Sequence, residues 1–473
     1  MRVIVWSALA WIGLGHMSMW AAEMAMGFRV GEVTQDSAIV WTRITRDAER
    51  NWDGHREPTK RQPKTDRYTP SEVAVNDREG ATPGAPGQLR VTVWPNTDAD
   101  QKQILEWTTV GEETDFCHQF QLHGLEPGTD YDLLVEARDT PGSAVTASSE
   151  GSFTTPANAK DWQDVRFAVV TGQSYWDLDD PKGYHIYPAM KAQNLQFLVP
   201  TGDTVYLDSE APRARTIELA RFHWHRMYSL PRHVEFHRTV PGYWEVDDHD
   251  SWINDGWPTQ TAPWMNPLTF EQGFNVYREQ VPIGDKTFRT IRWGKGLQVW
   301  MVEGRLYRSP NTMVDGPEKT IWGKEQLEWL KGSILESDAD FRVLISPTPI
   351  VGPDRDRGKK DNHANDSFAY EGNHFRRWTK EQGLKNFYSC CGDRHWQYMS
   401  IDPESGLREF SCGPASDKHA GGNPEQPSWQ PFLRVMGGFL TVSVSQENET
   451  PTIAFRHHDV LGKVVHEFQA TSE

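Results

Sequence analysis

The chain has 473 residues, a length that favours two domains over one hydrophobic core. Its 37% hydrophobic and 24% charged residues are typical of a folded globular protein. The formal net charge of −17 argues against nucleic acid or an anionic membrane as a standing partner. Any small anionic ligand would therefore need local cations to bind.

The N-terminus is typical of an export signal. Arg2 precedes an apolar run, Val3–Leu14, and small residues follow at Ala21 and Ala22. The run is too short for a membrane span and suits the hydrophobic part of a signal peptide. We expect residues 1–25 to be a signal peptide and the protein to be exported, to the periplasm or outside the cell. A buried first strand is the alternative.

Four cysteines are too few for a disulfide framework: Cys117, Cys390, Cys391 and Cys412. We expect buried free thiols; one disulfide to Cys412 is the alternative, for which the sequence gives no argument.

Residues 26–156 have the pattern of an all-β domain. Alternating apolar and polar residues predict strands at Ser37–Arg43 and Gln88–Trp94. Between them, residues 51–86 are polar and charged, so we expect a long exposed loop and a candidate for disorder. The stretch from Leu125 to Tyr131, Leu-x-Pro-Gly-Thr-x-Tyr, resembles the fibronectin type III sandwich, in which the Tyr packs at a sheet corner.

Beyond residue 156 strands alternate with helices, which is typical of an α/β domain. Continuous apolar runs predict buried strands at Val165–Val170, Phe197–Pro200, Leu297–Val302, Phe341–Ile345 and Asn386–Cys391. Apolar residues at helical spacing predict helices at Tyr184–Gln193, Pro212–Tyr228 and Gly323–Glu336. Alternation from Gly437 onward predicts further strands at an edge or in a second sheet.

Three short stretches place acidic and imidazole groups just after buried strands, where open α/β sheets build their sites. They are Gly202-Asp203-Thr-Val-Tyr206, Asp247-Asp248-His249-Asp250 and Gly392-Asp393-Arg394-His395. Each stretch alone is compatible with an ordinary turn. Consecutive ionisable groups behind a strand are costly to gather without a counter-charge, however, and a metal ion supplies one.

In this order the three motifs resemble the alkaline phosphatase D (PhoD-like) family of metallophosphatases. Supporting similarities are the opening strand Phe167–Gln173, the helix Trp322–Leu330 and the N-terminal stretch Gly31–Arg43. The resemblance implies an α/β (α+β) metallophosphatase-type β-sandwich core flanked by helices, in residues 164–473. An all-β fibronectin III/Ig-like sandwich, in residues 26–156, would precede it.

The resemblance also implies a metal-dependent phosphoesterase that acts on small phosphate esters. Asp203 would bridge two cations, Tyr206 would supply a phenolate and Asp248 a carboxylate. His249 would donate a proton to the leaving group. The remaining metal ligands would be Asp393, His395 and, in an outer position, Asn254.

Two departures from the family pattern affect the site. The family carries a Cys that binds ferric iron in its opening strand, whereas this chain has Gly172. The oxygen-rich ligand set favours hard cations, and we expect two or more metal ions, with calcium first and iron or manganese as alternatives. His363, in a polar loop, is a candidate for substrate contact or a replacement ligand. Asp247 and Arg394 are weaker candidates for substrate contact.

Two other functions remain open from the sequence. The enzyme could act on a different ester, such as a phospholipid head group, and the walls of the cleft around Trp252–Trp264 would decide that. Alternatively, a catalytic domain without its Cys could have lost turnover and serve as a binding protein through the β-sandwich. The retained acidic and histidine residues argue against that alternative.

Overall fold

The computed structural model describes residues 21–65, 71–354, 360–422 and 425–472. The predicted signal peptide therefore lies outside the described residues, apart from residues 21–25. Among the described residues, no helix is long and apolar enough to cross a lipid bilayer. The four cysteines are buried free thiols, as expected.

The N-terminal part is built from strands. A three-stranded sheet has the order β1-β2-β6, and a second sheet has the order β4-β3-β7-β8 with β5 paired to β3. Their bounds are β1 Phe28–Gly31, β2 Ser37–Arg43, β3 Gly87–Pro95, β4 Gln103–Ile104, β5 Thr108–Val110, β6 Cys117–His123, β7 Asp130–Arg138 and β8 Ala147–Thr154. Strands β2 and β3 lie where the sequence predicts them, but nearly all residues of β2 and most of β3 are buried, so the prediction of a single buried face is wrong for them; regular alternation is found in β7.

Tyr131 is buried and its hydroxyl accepts a hydrogen bond from the Glu126 amide at 2.7 Å. This contact back to a residue just upstream is the one expected of a tyrosine at a sheet corner. The assignment of the sandwich to the fibronectin type III type stays a prediction.

The polar segment of residues 51–86 is not simply exposed, which corrects the sequence prediction. Arg78, Ala81, Thr82 and Ala85 within it are buried. Arg78 is paired with Glu57 at 2.7 Å. Ion pairs and hydrogen bonds satisfy these polar groups away from water, so a low apolar content did not prevent burial.

The remaining strands form two sheets. A five-stranded sheet has the order β10-β9-β18-β19-β20, and a seven-stranded sheet has the order β11-β12-β13-β14-β16-β15-β17. Their bounds are β9 Val165–Val170, β10 Phe197–Pro200, β11 Arg289–Trp293, β12 Leu297–Met301, β13 Phe341–Ser346, β14 Phe387–Cys391, β15 Gln397–Ile401, β16 Arg408–Cys412, β17 Phe432–Arg434, β18 Phe439–Glu447, β19 Thr450–His458 and β20 Val464–Thr471. The strands predicted from apolar runs are confirmed to within one residue at each end.

Seven helices flank these sheets among the described residues: α1 Ile186–Lys191, α2 Ile217–Tyr228, α3 Pro231–His237, α4 Asp248–Ser251, α5 Phe270–Gln280, α6 Gly323–Glu336 and α7 Ala369–Glu381. The prediction for α6 matches in both bounds. Helix α2 begins five residues later than predicted, because residues 212–216 form an extended entry that ends at the N-cap Thr216.

The two sheets pack face to face. Phe410 on β16 stacks on Phe455 on β19 with ring centroids 4.0 Å apart. Strands β12, β13, β14 and β16 run parallel, as do β9 and β10. The buried cluster between the sheets continues into the N-terminal sandwich. Gly242 links the two parts, since it bridges both Gly31 on β1 and Leu198 on β10.

Candidate metal and catalytic site

The predicted motifs meet at one edge of the packed sheets. The loops after β9, β10 and β14 contain Thr171, Asp203 and Asp393 respectively. The backbone amide of Gln173 donates to the Asp203 carbonyl at 2.7 Å, and that of Asp393 donates to the Thr171 hydroxyl at 3.3 Å. The carboxyl ends of strands from both sheets therefore build a common site.

Asp203 and Asp393 adopt an unusual backbone conformation. Their φ angles are 51° and 57°, in the left-handed region that residues other than glycine rarely occupy. Each follows a glycine, and both side chains are buried. Backbone strain of this kind concentrates at functional sites, where the surrounding structure holds it in place.

Asp203, Asp248 and His249 bring potential ligand atoms within 4.8 Å of one another. Helix α4, which begins at Asp248, is tied to the Asp203 loop by Asp250. Its carboxylate accepts from the amides of Thr204 and Val205 at 2.8 and 3.0 Å. Two motifs that are 45 residues apart in the chain are thus fixed against each other.

Few cations balance the acidic groups around α4. Arg305 is fully buried, and its guanidinium lies 2.6 Å from Asp247, 3.4 Å from Asp361 and 3.6 Å from Asp248. Burial and the neighbouring Asp203 raise the pKa of Asp250 to about 7. A cation bound at Asp203 and Asp248 would relieve this concentration of negative charge.

His249 is held in a fixed orientation by Asp208. Its Nδ1 lies 2.5 Å from Oδ1 of Asp208, which leaves Nε2 for the cavity. Burial lowers the pKa of His249, but the carboxylates of Asp208, Asp248 and Asp203 outweigh that effect and raise the pKa to about 10. These carboxylates favour the protonated imidazole, the form that can donate a proton from Nε2.

Tyr206 lies between His249 and a second histidine, His419. Its ring centroid is 4.4 Å from that of His249, and its hydroxyl is 3.1 Å from Oδ2 of Asp203 and 2.8 Å from Nε2 of His419. Burial, and then the Asp203 carboxylate, raise the pKa of Tyr206 well above its usual value. A bound cation would be required to hold it as a phenolate.

These residues surround an open cavity of about 490 Å³. Six of the predicted site residues line it: Asp203, Tyr206, His249, Asn254, Asp393 and His395. Asp248 lies behind His249, and its carboxylate accepts from the amides of His249 and Asp255. The structure thus brings together the seven residues predicted as metal ligands and proton donor.

The three weaker candidates do not line the cavity. Asp247 and Arg394 are fully buried; Asp247 pairs with Arg305, whereas Arg394 pairs with Asp354 and Asp393. His363 is buried between Glu371, 2.8 Å from its Nε2, and the ring of Trp322. Their partners are internal side chains, so a direct substrate contact by these residues is not supported.

Several residues that line the cavity or support its side chains were missed in the sequence analysis. Asp208 follows the Asp203 motif without any distinctive pattern. Asp177 ends a short 3-10 turn, Tyr175–Asp177, and His419 belongs to a polar loop; His419 Nδ1 lies 2.7 Å from Asp177. The segment of residues 60–64 belongs to the polar loop of the N-terminal part, and Lys60, Arg61, Gln62 and Lys64 all line the cavity.

Arg213 fixes the segment of residues 60–64 against the cavity. Its guanidinium donates to the carbonyl oxygens of Gln62 and Pro63, both at 2.7 Å, and to that of Asp208 at 3.1 Å. Lys60 in turn pairs with Asp177, and Lys64 lies 3.1 Å from Asp208. A loop of the N-terminal part therefore completes the wall of the site.

The tryptophan-rich segment lies beside this wall. The Lys64 ammonium is 5.0 Å from the ring centroid of Trp264. A neighbouring open groove of about 870 Å³ is lined by residues that include Trp252, Phe270, Phe274 and Leu306. The surroundings of the cavity are thus cationic on one side and apolar further out.

Comparison with known proteins identifies relatives of this arrangement. The family model described as PhoD-like phosphatase matches residues 167–471. A solved structure titled "Structure of PhoD" superposes with a TM-score of 0.73 at 16% identity, covering 97% of this chain and 92% of the other. A purple acid phosphatase, PPD1 from yellow lupin (Lupinus luteus), gives a TM-score of 0.61 at 11% identity, covering 94% of this chain and 74% of the other. Both likenesses show the metallophosphatase fold. No curated protein matches the sequence.

Proposed function

The chain belongs to the PhoD-like phosphatase family and is a metal-dependent phosphoric ester hydrolase; from that premise we propose that it cleaves phosphate monoesters and diesters outside the cytoplasm. The convergence of Asp203, Asp248 and His249 within 4.8 Å, on the edge of one open cavity, is the observation that carries the proposal. We also propose that residues 26–156 and 164–473 are its two domains.

The side chains at the cavity fit a pair of metal ions. Carboxylates, a phenol and an imidazole are ligands that hard and borderline cations accept. The residues that would hold the ions are Asp203, Tyr206, Asp248, Asn254, Asp393 and His395. Calcium suits the all-oxygen part of this set, with iron or manganese as alternatives. When bound, such ions polarise the phosphoryl group and activate the attacking water.

His249 is the proposed proton donor to the leaving group. Asp208 holds Nδ1, so the proton on Nε2 is the one available to the cavity. A protonated imidazole placed next to the scissile bond neutralises the alkoxide as that bond breaks. The burial of Asp208 keeps this contact free of competing water.

Cations from the N-terminal loop favour the entry of an anionic substrate. The chain as a whole carries a net charge of −17 and would repel phosphate esters at long range. Lys60, Arg61 and Lys64 on one side and Lys418 on another line the cavity and offset the carboxylates that also line it. We propose that this rim attracts phosphate esters from solution.

The test is hydrolysis of aryl phosphate monoesters and diesters by the purified protein, with calcium, manganese or iron supplied separately to metal-free protein. We expect turnover that requires metal and falls at least about a thousandfold in Asp203→Asn, since a carboxylate that would hold the metal ions is lost. Asp338→Asn, a change at an exposed carboxylate, serves as the matched control. Absence of turnover with every metal, in folded protein, would refute the proposed reaction.

A further inference from the structure

Gly172 faces the imidazole of His419. A Cβ atom placed on Gly172 would lie 3.0 Å from Pro414 Cβ and 3.4 Å from Cδ2 of His419. The φ angle of Gly172 is +62°, which an L side chain rarely adopts. The ring of His419 therefore occupies the space in front of the position from which a side chain at residue 172 would reach the cavity.

His419 contributes its Nε2 to a tight group of potential ligand atoms. This nitrogen is 2.8 Å from the Tyr206 hydroxyl, which is itself 3.1 Å from Oδ2 of Asp203. His395 approaches the same group: its Nε2 is 3.8 Å from Oδ2 of Asp203 and its ring centroid is 4.2 Å from that of His419. All four side chains line the cavity.

Asp177 orients His419 in the way that carboxylates orient metal-binding histidines. Its Oδ2 lies 2.7 Å from Nδ1, so Nδ1 carries the proton and Nε2 presents its lone pair to the cavity. Lys60 pairs with the same oxygen of Asp177 and helps to hold the carboxylate in place. Lys60 in the N-terminal loop, Asp177 and the ring of His419 are therefore connected by consecutive polar contacts.

The hydroxyl group of Tyr206 lies between two groups that can accept its proton. The lone pair of His419 Nε2 and the carboxylate of Asp203 both face the Tyr206 hydroxyl, which has a single hydrogen to donate. A cation in place of that hydrogen would satisfy the imidazole, the phenolate oxygen and the carboxylate together. The arrangement of these three groups is therefore compatible with a metal ion at this point.

We propose that His419 is a metal ligand of this site, on the same cation as Asp203 and Tyr206, and that it supplies an imidazole nitrogen where no thiolate is present. The cation at this position is then a transition metal such as iron, zinc or cobalt, for which imidazole is a favourable ligand. Calcium is confined to the all-oxygen side around Asp248. This inference rests on the metal-dependent hydrolysis proposed above.

Cobalt(II) is the probe that tests the inference without relying on activity. Metal-free wild-type protein is titrated with Co²⁺ while the visible absorption and the amount of bound metal are measured. In His419→Ala we expect the Co²⁺ whose absorption spectrum indicates imidazole ligation to bind at least about tenfold more weakly. Loss of a carboxylate that only orients a metal ligand already weakens metal binding by that amount. His374→Ala, which removes an exposed imidazole on α7, should leave the titration unchanged.

X-ray absorption fine structure of the cobalt-loaded protein provides a second measurement. We expect two imidazole ligands in the wild type and one in His419→Gln, a variant that keeps a polar side chain in the space. Unchanged affinity and imidazole count in both variants, with binding still lost in Asp203→Asn, would overturn the role of His419 and leave the hydrolase intact. Wild-type protein that binds no Co²⁺ would overturn the role of His419, and hydrolysis in the presence of calcium would then decide the hydrolase separately.

Discussion

Asp208 is the residue whose substitution tests the proton donor most directly. It is fully buried; Oδ1 contacts Nδ1 of His249 at 2.5 Å, while Oδ2 accepts from Lys64 and the Asn254 amide at 3.1 and 3.2 Å. Every neighbour of the carboxylate is thus a donor. The amide of Asp208→Asn has one acceptor oxygen only, so its NH₂ group must face a donor, and one of these contacts is lost.

We expect kcat of Asp208→Asn to fall about 10- to 100-fold, the usual cost of losing a carboxylate that orients a functional imidazole. That loss corresponds to about 1.4–2.7 kcal/mol in the activation barrier. KM should change little, because Asp208 does not line the cavity. Lys64→Gln, which removes an exposed cation but keeps the carboxylate, should change kcat by less than about threefold.

The assay compares phosphate esters whose leaving groups differ in basicity. An alkyl alcohol needs a proton as it leaves, whereas a nitrophenol leaves readily as the anion. The loss in Asp208→Asn should therefore be large for alkyl phosphates and small for nitrophenyl phosphates. Equal losses for both classes, with an unchanged circular dichroism spectrum, would refute the assignment of His249 as proton donor.

Two further predictions concern stability. Arg305→Met leaves the buried carboxylates around α4 without their cation, so the free energy of unfolding in urea should fall by about 3–5 kcal/mol. Lys324→Met, a change at an exposed cation, should lower it by less than about 0.5 kcal/mol. A similarly small loss in Arg305→Met would contradict this account. Burial, and then Arg29, lower the pKa of His237 to about 3 from 6.5. The unfolded chain binds the extra proton, so the free energy of unfolding should fall as pH drops below about 6.5, by up to about 1.4 kcal/mol per pH unit, and His237→Phe should reduce that slope. An unchanged slope in urea titrations of His237→Phe would show that other groups set the acid sensitivity.

The central strands and the motif order could be predicted from sequence because the signals are local. Val165–Val170 and Phe197–Pro200 are uninterrupted apolar runs, and the polar groups that follow them mark where the strands end. Asp203 and Asp393 each follow a glycine directly after such a run. Because the carboxyl ends of parallel strands lie at the same edge of a sheet, the two aspartates are expected to lie close together whatever the neighbouring residues are.

The cationic wall could not be predicted, because its residues have no local signal. Lys60 and Lys64 lie in a stretch whose composition is typical of solvent-exposed loops. Their position at the cavity depends on Arg213, about 150 positions later in the chain, which donates to backbone carbonyl oxygens of residues 62 and 63. Every residue has such an oxygen, so the sequence does not reveal the contact. His419 is similar, since only Asp177 and Tyr206 in three dimensions distinguish it from other histidines in polar turns.

The pairing of β18 with β9 has a consequence for how the protein is made. Strand β18 lies between β9 and β19, so β9, which pairs with β10 on one side, obtains its second neighbour only when residues 439–447 have been synthesised. The segment of residues 60–64 leaves the ribosome long before that point, as do its partners Asp177 and Asp208. Asp393, His395 and His419 lie late in the chain, so the cavity has its full lining only after most of the protein has been synthesised. We therefore expect hydrolytic activity only in chains that have passed this point.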